Sequence, residues 1–145
     1  MKNIIIAGST KCGTTSLYNY LNDHPDVNSS YTKELRYFLD SEYPLPVNKS
    51  KPAQYIDLFD KGAFTLEATP DYLYSKGTID SIKKELGSDA YIILLLREPS
   101  ERLSSWFNYA KQIGTISKNS TYNEFIKQQV LDYNFNTPQH ALALE

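Results

Sequence analysis

The stretch Asn3-Ile4-Ile5-Ile6-Ala7-Gly8-Ser9-Thr10-Lys11-Cys12-Gly13-Thr14-Thr15-Ser16-Leu17 decides how this 145-residue chain is read. A short β-branched apolar run ends at Gly8, which predicts a buried strand over residues 3–7 entering a turn. Beyond the turn, Leu17 and Leu21 recur at helical spacing, and Thr14 or Thr15 is expected to cap that helix. The helix has to stop near His24-Pro25, because proline disfavours helix in the residue before it. A strand, a glycine-bearing turn and a helix start together form an anion site, since free amides and the positive end of the helix dipole converge there. Gly8 and Gly13 permit backbone angles closed to other residues. Lys11 adds a full charge, and Thr14, Thr15 and Ser16 add hydroxyl donors. Cys12 sits inside the same loop as a small space-filler. The loop departs from that of nucleotide triphosphatases, which ends Gly-Lys-Ser/Thr and needs the hydroxyl for magnesium. Here Gly13 is followed by Thr14 and the lysine lies earlier, at Lys11. That difference turns the reading away from hydrolysis of ATP or GTP and from a metal requirement.

Working outward, Ala63–Leu66 reads as a second short strand. Thr78–Leu86 reads as a helix with Ile79, Ile82 and Leu86 on one face and Gly87 as its stop. Tyr91–Leu96 is the strongest strand signal, apolar on both faces, as in the middle of a parallel sheet. Pro99 starts another helix, at the position where its missing N–H costs nothing, and residues 122–133 form a further one. Residues 40–53, with Pro44, Pro46 and Pro52, read as a surface loop. Strands alternating with helices predict an α/β fold: a parallel sheet with helices on both faces and right-handed crossovers. The length suits one domain spanning 1–145.

A hydrophobic fraction of 41% and a charged fraction of 22% suit a globular protein. A net charge of -2 argues against a nucleic-acid partner held by bulk charge. One cysteine and two distant histidines, His24 and His140, supply neither a disulfide nor a metal site. No apolar run approaches the ~20 residues that span a bilayer, so a soluble, cytoplasmic protein is expected. The oligomeric state is not legible.

A second informative segment is Leu94-Leu95-Leu96-Arg97-Glu98-Pro99-Ser100-Glu101-Arg102-Leu103-Ser104-Ser105-Trp106. Arg97 falls at the carboxyl end of a strand, where open α/β sheets bind ligands. With Ser105, two turns along the following helix, it forms a clamp suited to one phosphate. The competing reading is a surface pair of Arg97 with Glu98 or Glu101.

Together, Lys11-Cys12-Gly13-Thr14-Thr15 and Arg97-Glu98-Pro99-Ser100-Glu101-Arg102-Leu103-Ser104-Ser105 resemble the two nucleotide motifs of sulfotransferases that use 3′-phosphoadenosine 5′-phosphosulfate (PAPS). The resemblance implies a nucleotide-kinase-like fold, with the 5′-phosphosulfate held by residues 11–16 (Lys11, Cys12, Gly13, Thr14, Thr15 and Ser16). It implies the 3′-phosphate on Arg97 and Ser105, and Lys11 beside the bridging oxygen. Lys33-Glu34-Leu35-Arg36-Tyr37-Phe38-Leu39-Asp40 is similar to the Lys-Glu-x-x-x-Phe-x-Asp segment of heparan-type and related bacterial sulfotransferases, which implies Glu34 as catalytic base. Glu67-Ala68-Thr69-Pro70-Asp71-Tyr72 looks like the Glu-x-Ser/Thr-Pro-x-Tyr segment of the same group, which implies Lys33, Glu67, Thr69, Pro70 and Tyr72 on the acceptor side. Ala68 stands where heparan enzymes often carry lysine. The implied activity is transfer of a sulfuryl group from PAPS to a hydroxyl of a saccharide or small molecule, without a metal. Family members are longer, so the resemblance also implies the N-terminal, PAPS-binding portion of the domain without its C-terminal part. A nucleotide kinase or other phosphotransferase, and a non-catalytic nucleotide-binding module, are the alternative readings.

Overall fold

The computed structural model describes residues 2–39, 54–60 and 62–134. Asp40, the loop at 40–53 and His140 lie outside the described residues. The chain divides into two compact units, residues 1–96 and 97–145.

In the first unit, strand β1 (Lys2–Gly8) is central. It pairs in parallel with Phe64–Ala68 on one side and with Ala90–Leu94 on the other. In chain order the strands are β1, β2 (Val27–Ser29), β3 (Phe64–Ala68) and β4 (Ala90–Leu94), and the sheet order is β2-β3-β1-β4. Alternation along β1 separates two cores. Ile6, with Leu66 and Ala68 of β3, packs beneath Leu17, Tyr18 and Leu21 of helix α1 (Thr14–Asn22). Ile5 and Ala7 point to the opposite face, against Phe38, Tyr55, Tyr72 and Ile82, the last on helix α2 (Thr78–Leu86). Ile5 and Ile6 are both 0% exposed, and each such side chain contributes about 1.5–3 kcal/mol by burial. Helices thus flank both faces of a parallel sheet, as the alternating pattern predicts.

Several local expectations need correction. Gly13, not Thr14 or Thr15, occupies the cap position of α1, with φ 87 and no side-chain cap. The chain leaves the loop through the left-handed region, which glycine adopts freely and threonine does not, and the Thr14 side chain is buried instead. The strand β3 extends beyond Leu66 to Ala68, because Glu67 and Ala68 are buried and paired with β1. The strand β4 is not central: among the described residues it pairs with β1 alone and stands at the edge. Tyr91 and Leu94 on it are half exposed, and Leu96 beyond it is 81% exposed. An apolar run records that both faces favour burial, whereas position in the sheet is set by which strands the crossovers place alongside. On α2, Ile82 is buried, Leu86 packs on the core and Ile79 is exposed, while Gly87 ends the helix with φ 59 and its N–H on the Lys83 carbonyl. The three-residue β2 was invisible in sequence, since Val-Asn-Ser carries no period.

The second unit holds α3 (Pro99–Gln112) and α4 (Tyr122–Asn134). Pro99 opens α3 as expected, and the Glu98 carboxylate caps it by accepting the Glu101 N–H at 2.8 Å. A reciprocal pair opens α4: the Thr121 hydroxyl accepts the Glu124 N–H at 3.3 Å and the Glu124 carboxylate accepts the Thr121 N–H at 2.8 Å. The Phe107 ring lies 5.3 Å from Tyr122 and 5.4 Å from Phe125, which joins the two helices.

Candidate functional site

The central strand β1 delivers the loop 8–16 at its carboxyl end. Gly8 has φ 153, and a Cβ there would lie 2.8 Å from Leu73 Cβ and 3.1 Å from the Pro70 carbonyl oxygen, so only glycine fits. Ser9 donates its N–H to the Leu95 carbonyl at 2.8 Å, and Leu95 returns its N–H to Gly8 at 2.7 Å. The Ser9 hydroxyl meets the Tyr74 hydroxyl at 2.6 Å. These contacts hold the loop base to β4 and to the turn at Pro70–Tyr74. Tyr74 and Leu73 carry no local signal for this role, since their partners lie 65 residues away in sequence.

The upper loop is open. Lys11 is half-buried with φ 64. The thiol of Cys12 donates to the Thr10 carbonyl at 3.7 Å, and its N–H bonds Ser9. A Cβ on Gly13 would meet nothing within 4 Å. Thr15 and Ser16 are exposed. The first-turn amides of α1 are those a helix leaves without internal partners, at its positive end. A lysine, exposed hydroxyls and free amides around an open glycine suit an anionic phosphate or sulfate group.

The segment 33–39 crosses the same unit. Glu34 and Arg36 both have left-handed backbone, φ 64 and φ 53, which is rare for residues with side chains. The Glu34 carboxylate lies 2.9 Å from the Lys33 amine and 3.6 Å from Arg36. Arg36 Nε is buried, makes no hydrogen bond among the described residues, and lies 3.6 Å from Asp71. Lys33 is half-buried, whereas Glu67, Thr69, Pro70 and Tyr72 are buried, Glu67 and Thr69 completely. Burial is the main force that pushes the Glu67 carboxyl up to about 7, against the hydroxyls of Thr69, Tyr72 and Tyr55 and the charge of Lys33. Burial likewise raises Tyr55 and Tyr72, and takes Tyr37 to about 12 together with a 2.9 Å bond to Glu85.

In the second unit, Arg97 and Ser105 line one open groove of about 660 Å³, with Ser100, Ser104, Asn108 and Tyr122. Arg97 donates from Nε to Glu101 at 3.1 Å, one of the two surface pairings the sequence allows. His24 closes the turn after α1, its Nδ1 accepting the Asp26 N–H at 3.2 Å. Among the described residues, no group of three His, Cys, Asp or Glu side chains could hold a metal ion, and no helix is long and apolar enough to cross a membrane.

The parallel α/β sheet with an open loop between its central strand and the start of a helix defines an α/β class of protein whose loop geometry suits an anion. Within that class, the sulfotransferase domain family matches residues 1–137, and the chain belongs to that family. Over 113 residues, 77% of this chain, it is 33% identical to the membrane-associated sulfotransferase kil1 of Dictyostelium discoideum. It is 27% identical over 139 residues, 87% of this chain, to the human bifunctional heparan sulfate N-deacetylase/N-sulfotransferase 2. The matches span 24% and 15% of those proteins. The fold also matches the crystal structure of a sulfotransferase from Alicyclobacillus acidocaldarius, with a TM-score of 0.77 and 23% identity, over 99% of this chain and 64% of that one.

Proposed function

We propose that the protein transfers a sulfuryl group from PAPS to a hydroxyl of a saccharide or small-molecule acceptor. The observation that carries the proposal is the open loop around Lys11 and Gly13 at the start of α1, in a chain of the sulfotransferase family. Bound PAPS would supply the sulfuryl group on a phosphate leaving group, with charge gathering on the bridging oxygen by analogy with phosphoryl transfer. Lys11 neutralises that charge, and the amides of Thr14, Thr15 and Ser16 with the exposed hydroxyls of Thr15 and Ser16 hold the 5′-phosphate, with Cys12 and Gly13 shaping the loop between them. Preorganised positive charge and positioning supply the rate, with no covalent enzyme intermediate. Arg97 and Ser105 hold the 3′-phosphate. Glu34 accepts the proton of the attacking hydroxyl. Lys33 serves the acceptor side, and Glu67, Thr69, Pro70 and Tyr72, buried behind it, support that side from within the fold. The human relative's name concerns heparan sulfate, which favours a saccharide acceptor.

Calorimetric titration with adenosine 3′,5′-bisphosphate and with ATP tests the nucleotide assignment. The bisphosphate should bind more tightly, and Lys11→Ala should weaken it. Labelled PAPS offered with a desulfated heparan oligosaccharide or p-nitrophenol tests transfer. Equal affinity for ATP, together with magnesium-dependent turnover of ATP, would reject the proposal.

A further inference from the structure

The Glu67 carboxyl is 0% exposed where β3 runs into its turn, yet hydroxyls reach both of its oxygens. The Thr69 and Tyr72 hydroxyls donate to Oε1 at 2.6 and 2.8 Å, and the Tyr55 hydroxyl approaches Oε2 at 3.4 Å. Oε1 receives both hydroxyls, so it is the accepting oxygen whether the carboxyl is ionised or carries its proton on Oε2, and a hydroxyl has one hydrogen. Thr69 and Tyr72 therefore direct that hydrogen at Glu67 and turn their lone pairs outward. Both outward faces meet one backbone segment. The Thr69 oxygen accepts the Arg36 N–H at 3.1 Å, and the Tyr72 oxygen accepts the Phe38 N–H at 3.2 Å. The Glu34 N–H adds a bond to the Ala68 carbonyl at 3.0 Å, beside Glu67 on β3. This segment needs holding, because Glu34 and Arg36 keep left-handed backbone that residues with side chains disfavour.

We propose that Glu67 is a positioning residue: acting through the Thr69 and Tyr72 hydroxyls, its buried carboxyl fixes the backbone of residues 34–38 and with it the placement of Glu34. The inference rests on Glu34 as the proton acceptor of the proposed transfer. The hydroxyl polarity gives Glu67 a task an apolar side chain of equal size cannot perform. With no acceptor behind them, the two hydroxyls turn their hydrogens elsewhere, and the amides of Arg36 and Phe38 lose aligned partners.

Amide hydrogen exchange of the full chain, followed by nuclear magnetic resonance, tests this without donor or acceptor. Glu67→Gln keeps an accepting oxygen for Thr69 and Tyr72 and presents an N–H group to Tyr55. It should leave exchange at Arg36 and Phe38 within about threefold of the parent. Glu67→Leu should speed both amides by about tenfold or more while β1 amides change little. Thr69→Val should release Arg36 alone, and Tyr72→Phe should release Phe38 alone. This pair decides the matter if the leucine variant does not fold. In transfer from PAPS to the desulfated oligosaccharide, Glu67→Leu should lower kcat without changing affinity for adenosine 3′,5′-bisphosphate, and Glu67→Gln should restore kcat. Uniform acceleration of all amides, protection kept in both hydroxyl variants, or joint loss of kcat and bisphosphate affinity overturns the inference. Selective release in a protein that transfers no sulfuryl group rejects the proposed function and retains the positioning of residues 34–38.

Discussion

Glu67→Gln exchanges a titrating carboxyl for a neutral amide of nearly equal volume, so it isolates what that one proton does to stability. The folded protein holds the carboxyl at about 7 against an ordinary 4.5, with burial as the main cause. At about 1.4 kcal/mol per unit, the difference is about 3 kcal/mol. The sign follows from proton counts. As pH rises past 4.5 the unfolded chain gives up its proton while the folded chain keeps it up to about 7. Between those values the unfolded state binds fewer protons, so stability falls with rising pH, then levels off above 7. The contribution is fully present below 4.5 and lost by the time the folded carboxyl has ionised. Denaturant unfolding of parent and variant at intervals from pH 4 to pH 8.5 measures this directly. The exposed carboxylates held low by their partners, Asp89, Glu98 and Glu124, are common to both proteins and cancel in the difference. The parent should lose about 3 kcal/mol relative to the variant across this window. A flat difference, or one of opposite sign, would refute the claim that burial outweighs the three hydroxyls and Lys33. The same comparison bears on the positioning role: Oε1 of the carboxyl accepts from Thr69 and Tyr72, and Glu67→Gln keeps an accepting oxygen there while removing the titration.

Four further outcomes follow. Gly8→Ala should destabilise by about 2 kcal/mol or more, because its Cβ would sit 2.8 Å from Leu73 Cβ; Gly13→Ala, with open space but φ 87, should cost about 1–2 kcal/mol, both read by denaturant unfolding. Tyr74→Phe removes the 2.6 Å bond to Ser9 and should cost about 1 kcal/mol in the same assay. Arg97→Ala should weaken adenosine 3′,5′-bisphosphate by about tenfold or more in calorimetric titration while ATP affinity changes less; an unchanged bisphosphate affinity removes Arg97 from the 3′-phosphate assignment.

Much of this protein was legible without coordinates, for a physical reason that differs from element to element. The run from Asn3 to Gly8 reads as a strand because three isoleucines in sequence want burial on both faces of a sheet. The bounds of α2 are readable because Gly87 ends it through local backbone geometry, and Pro99 starts α3 by the same kind of local rule. The loop chemistry is also local, since Lys11, Gly13 and the hydroxyls after it are neighbours in the chain. What sequence misplaced was non-local. The apolar run at residues 91–96 announces burial, but only the crossovers decide that β4 stands at the edge among the described residues. Helix capping passed from Thr14 to Gly13 because the path of the loop, not the side-chain preference, set the backbone there. The Ser9–Tyr74 bond, the Leu73 contact that requires glycine at position 8, and the relay from Glu67 to the amides of Arg36 and Phe38 join residues 30 or more positions apart. Hydrogen-bond polarity across such distances depends on how strands and turns stack. The sequence by itself therefore determined the glycine loop with its lysine and hydroxyls and the sheet-and-helix pattern, through short-range sterics and periodic burial, while tertiary structure alone decided which buried groups bond the segment that carries Glu34.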